Sequence, residues 1–563
     1  MKEEIKKIIS ALGGPASGWE KAIQDNSVGF SVEISGDKSH GDYSTNVALV
    51  LAKKIGKNPR DVAEEIKNKI KSNLFSKIEV AGPGFINFFI ADKFFIDNLK
   101  NINKDYGKGV ELRNKKIIID YTDPNILKEF HIGHLMSNSV GESLSRIFEF
   151  QGAKVKRVCY QSDVGMGVAK AIWGKLQKPE LAWGQAYAYG AEKFETDESA
   201  KKQIVELNKV IYNRSDKNIN KLYDQGKKES LKHFDEIYKK LGTKFDYFIF
   251  ESEAVSVGKK IVEDNMGKVF EKGENGAVIF KGEKYGLHTR VFINSEGIPT
   301  YESKDLANAL IKYKKYKYDK SIVITANEQS DYFKVMLCAM EQINPELAKK
   351  TKHIGHGMLR LPEGKMSSRT GKVITGESLI EKVEELVKHK IKDRELSDKE
   401  KKEITEKVAV GAIRYSVLKQ SIGSDIIYDF DKSISFEGDS GPYLQYSYTR
   451  ANSVLGKAKK EGISAQGGSA WGGKLVPETA GDLEKKLYYF PEIVLKAGKE
   501  YEPHFLVLYL TELAGVFNNY YAKNKIVDKK DEFSAYKVAL TTAFAQIMKN
   551  GMWMLGIETS NKM

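Results

Sequence analysis

Cysteine is nearly absent from this chain. Only Cys159 and Cys338 occur in 563 residues, far apart and each within an apolar run. They supply neither a disulfide framework nor zinc-ligand spacing, so both are expected as buried free thiols. No apolar run approaches the roughly 20 residues that cross a bilayer, and no membrane partner is expected. The opening residues, Met1-Lys2-Glu3-Glu4-Ile5, are charged and amphipathic and lack the apolar core of a signal peptide. Cytoplasm is therefore the expected compartment. No internal repeat is evident.

What is present is enough for several cores. A chain of 563 residues exceeds one core, and three or four domains are expected. Apolar residues make up 41%, well within the globular range. Ninety basic residues against 76 acidic ones give a net charge of +14, which favours a polyanionic partner such as nucleic acid. A lysine-rich proteome gives the same excess, so charge alone leaves that open.

The sharpest stretch runs from Ile117 to His134. Ile117-Ile118-Ile119-Asp120 reads as a buried strand, and Pro124 interrupts regular structure. Met136, Val140, Leu144, Ile147 and Phe148 then recur at helical spacing, and Val155 to Tyr160 reads as the next strand. The order is that of a βαβ unit with a parallel sheet. His131 and His134 bracket Gly133 where the helix begins, and free N–H groups there favour an anion. The physical reading is a phosphate site; two surface histidines near a helix start are the alternative.

This stretch resembles the His-Ile-Gly-His signature of class I aminoacyl-tRNA synthetases. Its extended form, Pro124-Asn125-Ile126-Leu127-Lys128-Glu129-Phe130-His131-Ile132-Gly133-His134, is similar to that of arginyl-tRNA synthetases. Further phrases agree across most of the chain. His40 to Ala48 and Val80 to Phe88 resemble the family's N-terminal added domain, which touches the tRNA elbow. Ser435 to Tyr446, Tyr501-Glu502-Pro503-His504, Phe517 to Tyr521 and Met554 to Ile557 resemble its anticodon-binding helical bundle. Pro362 to Gly371 is similar to the Lys-Met-Ser-Lys-Ser loop. Two departures stand out. Gly167 replaces the Gln of the family's Gly-Asp-Trp-Gly-Thr-Gln phrase, and Ser368 replaces the loop's second lysine. In the family a lysine at the position of Lys128 is proposed to compensate for the latter.

The expected fold is multidomain α/β plus all-α. A small α+β N-terminal domain spans 1–110, with strands at Val28–Val32 and Phe85–Ile90. A Rossmann-like, doubly wound parallel-sheet catalytic domain spans 111–385, and a solvated helical insertion occupies about 171–275. A helical linker and bundle fill 386–563. A second His-Ile-Gly-His, at 353–356, is followed by strand-like residues rather than a helix, and reads as a strand lining the nucleotide pocket. Lysine and tyrosine alternate over Ile311–Tyr318, either to meet RNA or as a solvated loop.

The resemblance implies ATP-dependent activation of L-arginine, release of pyrophosphate and transfer to the 3' end of tRNA(Arg), by a monomer. Catalysis would fall to His131, His134, Lys128 and Lys365. ATP would meet His131, Gly133, His134, Met358, Lys365, Met366, Ser367 and Ser368, with Mg2+ arriving on the triphosphate and no protein-bound metal. A guanidinium wants planar carboxylates that accept paired hydrogen bonds. Asp120, Asp123, Asn125, His131, Tyr301, Asp305 and Gln329 match the family's arginine pocket. A helix-capping Asp305 and an exposed strand-end Asp120 are the alternative. Asn87, Tyr443, Gln445 and Tyr446 are candidates for tRNA contact. The rival functions are a synthetase of other specificity and a non-catalytic RNA-binding paralogue. Intact His131, His134 and Lys365 argue against the latter.

Overall fold

The computed structural model describes residues 1–13, 19–24, 29–361, 375–464, 476–560 and 562–563. Lys365, Met366, Ser367 and Ser368 lie outside the described residues. The chain forms two compact units, one of residues 1–102, 462–488 and 527–540, the other of 103–461, 489–526 and 541–563.

The first unit is α+β. Its helices are α1 (Lys2–Ser10), α2 (Trp19–Gln24), α3 (Val47–Ile55), α4 (Pro59–Lys69) and α5 (Asp92–Asn98). Its strands β1 (Val32–Ile34), β2 (Tyr43–Thr45), β3 (Phe75–Ala81) and β4 (Phe85–Ile90) form an antiparallel sheet in the order β1-β2-β4-β3. Ile5 and Ile9, one turn apart on α1, are buried with Val47, Leu51, Val62, Ile66, Ile86 and Phe88. Of the strand expected over Val28–Val32, Val28 lies outside the described residues and 29–31 are not strand; β1 begins at Val32, and the Ser31 amide donates to Asn46 Oδ1 (2.9 Å). Asn87 sits in β4 between Ser44 and Glu79 and is 3% exposed. That burial removes it as a surface contact for tRNA.

The second unit is built on a five-stranded sheet. Its elements begin with β5 (Lys116–Asp120), α6 (Ile132–Phe150), β6 (Lys154–Gln161), α7 (Met166–Gln177), α8 (Trp183–Thr196), α9 (Glu198–Asn213), α10 (Lys217–Leu241), β7 (Tyr247–Phe250) and α11 (Glu251–Asp264). A small antiparallel sheet follows, of β8 (Glu271–Lys272), β9 (Val278–Phe280) and β10 (Arg290–Ile293). Then come α12 (Tyr301–Lys315), β11 (Lys320–Ala326), α13 (Ser330–Ile343), α14 (Pro345–Lys350) and β12 (Thr351–His356). The main sheet has the order β12-β11-β5-β6-β7, and every pairing is parallel. Strand order reverses between β5 and β11, and such a switch point opens a crevice beyond the strands' C-terminal ends.

Short strands β13 (Leu359–Arg360) and β14 (Ile426–Ile427) pair in parallel. The remaining helices are α15 (Gly376–Lys390), α16 (Asp398–Leu418), α17 (Phe430–Ser433), α18 (Gly441–Lys460), α19 (Asp482–Tyr488), α20 (Phe490–Glu500), α21 (His504–Lys523) and α22 (Ser534–Met554).

Several expectations are corrected here. The insertion expected over about 171–275 ends sooner, because Tyr247–Phe250 is the fifth strand of the main sheet, paired with β6. Nor is it merely solvated, since Ile126 and Leu127 share one apolar cluster with Val168, Ile172, Ile204 and Tyr223. The C-terminal region is not one block, because 462–488 and 527–540 join the first unit, where Tyr488 meets Phe94 and Phe95 edge-on at 5.2 and 5.5 Å. Ile311–Tyr318 is only partly a loop, since residues 311–315 end α12 and Lys312 and Tyr318 are buried, while Lys314, Lys315 and Lys317 are exposed. Cys159 is buried as expected, but Cys338 is only half-buried, on α13.

Lys312 is buried for a reason. Its Nζ lies 2.7 Å from Asp120 Oδ2, and neither side chain is more than 2% exposed. Replacing Lys312 by Met leaves a buried carboxylate without its cation, a loss of roughly 3–5 kcal/mol. The expected outcome is a lowered thermal unfolding midpoint, largely recovered when Asp120→Asn is added. An unchanged midpoint in the single variant refutes this account.

Candidate active site

The crevice is framed by the turn between β5 and α6. Three of its residues, none of them glycine, hold positive φ: Thr122 (81°), Asp123 (45°) and Leu127 (62°). Each such conformation costs of order 1–3 kcal/mol and persists only where its surroundings impose it. The surroundings do so here. The Thr122 amide donates to Ser137 Oγ (3.0 Å), and Asn138 Nδ2 donates to Thr122 Oγ1 (3.1 Å). Asp123 Oδ1 accepts from the Tyr160 amide (2.7 Å). The amides of Ile126 and Leu127 donate to Ser162 O (3.1 Å) and Ser230 Oγ (3.0 Å).

The turn delivers two histidines to the mouth of α6. His131 is the N-cap residue and His134 lies in the first turn. Their rings stack with centroids 3.5 Å apart. The His131 amide donates to His134 Nδ1 (3.2 Å), which places the proton of neutral His134 on Nε2. Burial pulls His131 down to about 4, helped by the charges of Lys128 and His356. Burial also lowers His134, with His131 and Lys128 adding to it. Both rings are therefore neutral N–H donors near pH 7, beside the free backbone N–H groups of Gly133 and its neighbours.

Cationic charge comes from Lys128. Its Nζ rests 4.5 Å from the centre of the Tyr187 ring, and no ion pair is found for it among the described residues. The chain also returns to this point at residue 375. Thr375 bridges to His131, and the Gly376 amide donates to Phe130 O (2.6 Å). Met358 is half-buried, and its amide donates to Asp425 Oδ1 (2.9 Å).

The acidic residues divide. Asp305, on α12, accepts a hydrogen bond from the Tyr332 hydroxyl, and no ion pair is found for it among the described residues. Burial raises it to about 7 against the pull of Tyr332. Burial and neighbouring Asp120 push Asp123 well above the usual carboxylate range. Asp120 departs from the expectation that it faces the crevice as a free anion. It is 1% exposed, and Oδ2 already accepts from Lys312 and from Asn308 Nδ2 (3.1 Å). Tyr301, 61% exposed, opens α12, and Gln329, exposed, ends the turn after β11. Asn125 is half-buried, and its carbonyl accepts from the Lys128 amide (3.4 Å). Gln445 is fully buried, its amide donating to Lys407 O (3.1 Å) and Glu558 O (2.8 Å), so it is a packing residue and not a surface for tRNA. Tyr443 Oη accepts from Asn518 Nδ2 (3.0 Å), and Tyr446 lies 4.8 Å beneath the Arg450 guanidinium; both are half-buried.

Several participants escaped the sequence reading. Lys312 and Asn308 follow Asp305 at seven and three residues, a same-face spacing that was visible. Tyr332 and Tyr187 left no local signal, whereas His356 belongs to the second His-Ile-Gly-His, which is a strand as expected. His356 ends β12, and its Nδ1 lies 2.7 Å from Gly357 O. Asp163, just after β6, is buried and bound by Lys227 (2.7 Å), Tyr223 (3.0 Å) and Ser252.

A doubly wound parallel sheet with paired histidines at the helix mouth of its switch point defines the catalytic domain of a class I aminoacyl-tRNA synthetase. Residues 98–430 match the family described as tRNA synthetases class I (R), catalytic domain. Residues 1–90 match the arginyl tRNA synthetase N-terminal domain, and 444–563 the DALR anticodon binding domain. The chain is 32% identical over 551 residues to the arginine–tRNA ligase of Fusobacterium nucleatum, covering 94% of this chain and 95% of that one. It is 32% identical over 554 residues to the arginine–tRNA ligase of Clostridium acetobutylicum, covering 94% and 96%. The arginyl-tRNA synthetase structure of Thermus thermophilus shares its fold at a TM-score of 0.81 and 21% identity, covering all of both chains. The chain belongs to the arginyl-tRNA synthetase family.

The histidine pair gives a direct check. In the ligand-free protein, imidazole resonances followed by NMR should place the His131 midpoint near 4, well below the ordinary 6.5. Its folded form excludes a proton that the unfolded chain accepts, so stability is full above about 6.5 and declines as pH falls towards 4. A midpoint near 6.5 contradicts the buried, neutral stack.

Proposed function

We propose that the crevice between β5 and β11 joins arginine to ATP and then to the 3' end of tRNA(Arg), with the roles that follow. The arginine carboxylate attacks the α-phosphorus of ATP. A new carboxyl O–P bond forms, the α–β bridge breaks, and pyrophosphate leaves with its electron pair. The nucleophile is already an anion, so no general base is required. Positioning and charge stabilisation carry the step. In the second step a terminal ribose hydroxyl attacks the adenylate carbonyl and AMP departs.

His131 and His134 serve as uncharged donors to phosphate oxygens, together with the backbone at Gly133. Lys128, and Lys365 by resemblance, supply the positive charge that grows in value as pyrophosphate separates. Met358, Met366, Ser367 and Ser368 complete the nucleotide's surroundings on the same resemblance. Magnesium enters as part of the ATP substrate, held by phosphate oxygens and water. Asp305 takes the guanidinium, Tyr301 flanks the aliphatic stem, and Asn125 and Gln329 hold the polar end. Asp123, kept neutral, tunes the pocket, and Asp120 acts through Lys312. Tyr443 and Tyr446 are proposed to face tRNA. The observation that carries this reading is the histidine stack beside a lysine that has no ion pair among the described residues, at the switch point. Arginine- and tRNA-dependent exchange of pyrophosphate into ATP tests it; exchange driven by another amino acid overturns it.

Two variants divide the site. Asp305→Ala should weaken arginine by on the order of 2–5 kcal/mol, with the KM for ATP little changed. Because Asp305 ionises near 7 in the empty pocket, the arginine KM of the parent enzyme should rise as pH falls below that value, by roughly tenfold per unit. The Asp305→Ala profile should be flat over that range. Lys128→Ala should slow adenylate formation by roughly a hundredfold and leave the arginine KM nearly unchanged. Parent-like kinetics in either variant remove that residue from its role.

A further inference from the structure

Leu127, Lys128 and Glu129 each face a glycine of the helical segment. A Cβ on Gly226 of α10 would lie 2.6 Å from Leu127 Cδ2. One on Gly184 of α8 would overlap the Glu129 carboxylate. One on Gly167, in the first turn of α7, would lie 2.8 Å from Lys128 Cε and 2.9 Å from its Nζ. Real Cβ atoms essentially never approach so closely. None of these three glycines has positive φ, so the backbone does not demand them. What they share is the absence of a side chain where the signature turn must pass.

Lys128 is the most constrained in charge. Its ammonium lies against the N-terminal turn of α7, whose dipole repels a cation. The Tyr187 ring face offsets this at 4.5 Å. Tyr187 is itself fixed, because α8 packs backbone-to-backbone on α7. A Cβ on Gly174 would overlap Ala186 O, and one on Gly190 would overlap Lys170 O. The same helices thus place the ring and leave the gap.

We propose that Gly167 and Tyr187 are positioning residues for Lys128, so that the helices between β6 and β7 hold the ammonium where the leaving pyrophosphate needs it. This rests on the role given to Lys128 above. Gly167→Ala keeps the helix and, by propensity, holds or raises the unfolding midpoint. Its methyl group displaces only the end of a flexible side chain.

The test is arginine-dependent pyrophosphate exchange by the full chain with tRNA present, for Gly167→Ala, Tyr187→Leu, Tyr187→Phe and each of the first two combined with Lys128→Ala. Gly167→Ala and Tyr187→Leu should each lower kcat by about tenfold with arginine KM within twofold of the parent. Tyr187→Phe, which keeps the ring face, should retain most of the rate. Neither change should slow Lys128→Ala further. If Lys128→Ala alone is fully active, the role of Lys128 itself fails. If it is slow while Gly167→Ala and Tyr187→Leu are parent-like, positioning by these residues is overturned. Equal slowing in the Lys128→Ala background overturns it as well, since the effect is then not exerted through Lys128.

Discussion

The site depends on one constrained piece of backbone, the turn from Asp120 to His131. It must leave a buried strand, reverse, and enter a buried helix with both histidines at its mouth. Thr122, Asp123 and Leu127 adopt left-handed conformations to do so. A β-branched residue such as Thr122 resists that conformation strongly. Nothing within the turn supplies enough to hold it. The donors and acceptors that do come from α6 (Ser137, Asn138), from β6 (Tyr160), from the end of β6 (Ser162) and from α10 (Ser230). The fold around the turn is in this sense its support.

The electrostatics separate recognition of phosphate from recognition of charge. In the proposed site, half-buried His131 and buried His134 would hold a phosphate by neutral hydrogen bonds, with no cation that must be desolvated before ATP arrives. The cation sits on a flexible stem at Lys128, away from the sheet. On the other side, Asp120 is neutralised from below by Lys312, which leaves Asp305 as the acidic group without a fixed cation. In the proposed pocket, a carboxyl raised to about 7 by burial would ionise when a guanidinium enters. One cation brings out the charge of one group, and the neighbouring acids are already compensated or protonated.

The signature, the βαβ order and the halves of the sheet were legible because buried parallel strands are apolar runs and α6 keeps helical spacing. His131, His134 and the helix at Tyr301 were likewise visible, since helix starts have local chemistry. What was not legible depends on three-dimensional pairing. Asp120 reads as a strand-end anion, and only the placement of α12 gives it Lys312. Tyr247–Phe250 is too short to announce a sheet strand after the four helices α7 to α10. Gln445 and Asn87 are polar letters in motif-like phrases, and the sequence gives no measure of their burial. The segment Lys217–Leu241 is highly charged, so it reads as solvated, although its inner face carries Tyr223, Gly226 and Ser230 against the signature turn.

Arg414 shows how far the support of that turn extends. It stands on α16, fully buried, and its Nη2 donates to Leu241 O (2.8 Å), Asn138 Oδ1 (3.3 Å) and Thr243 Oγ1 (3.4 Å). Asn138 spends its carbonyl on Arg414 and Thr243, which orients its amide group to donate to Thr122 Oγ1. The orientation of one amide therefore links a C-terminal helix to the most strained residue of the turn. Burial lowers the guanidinium to about 10, and Glu142 works against that shift. At neutral pH the group stays charged, so it cannot relax by losing its proton. A buried cation of this kind is a poor source of net stability, and its place is better explained by direction. Its planar donors define the amide's orientation, and the amide defines the turn.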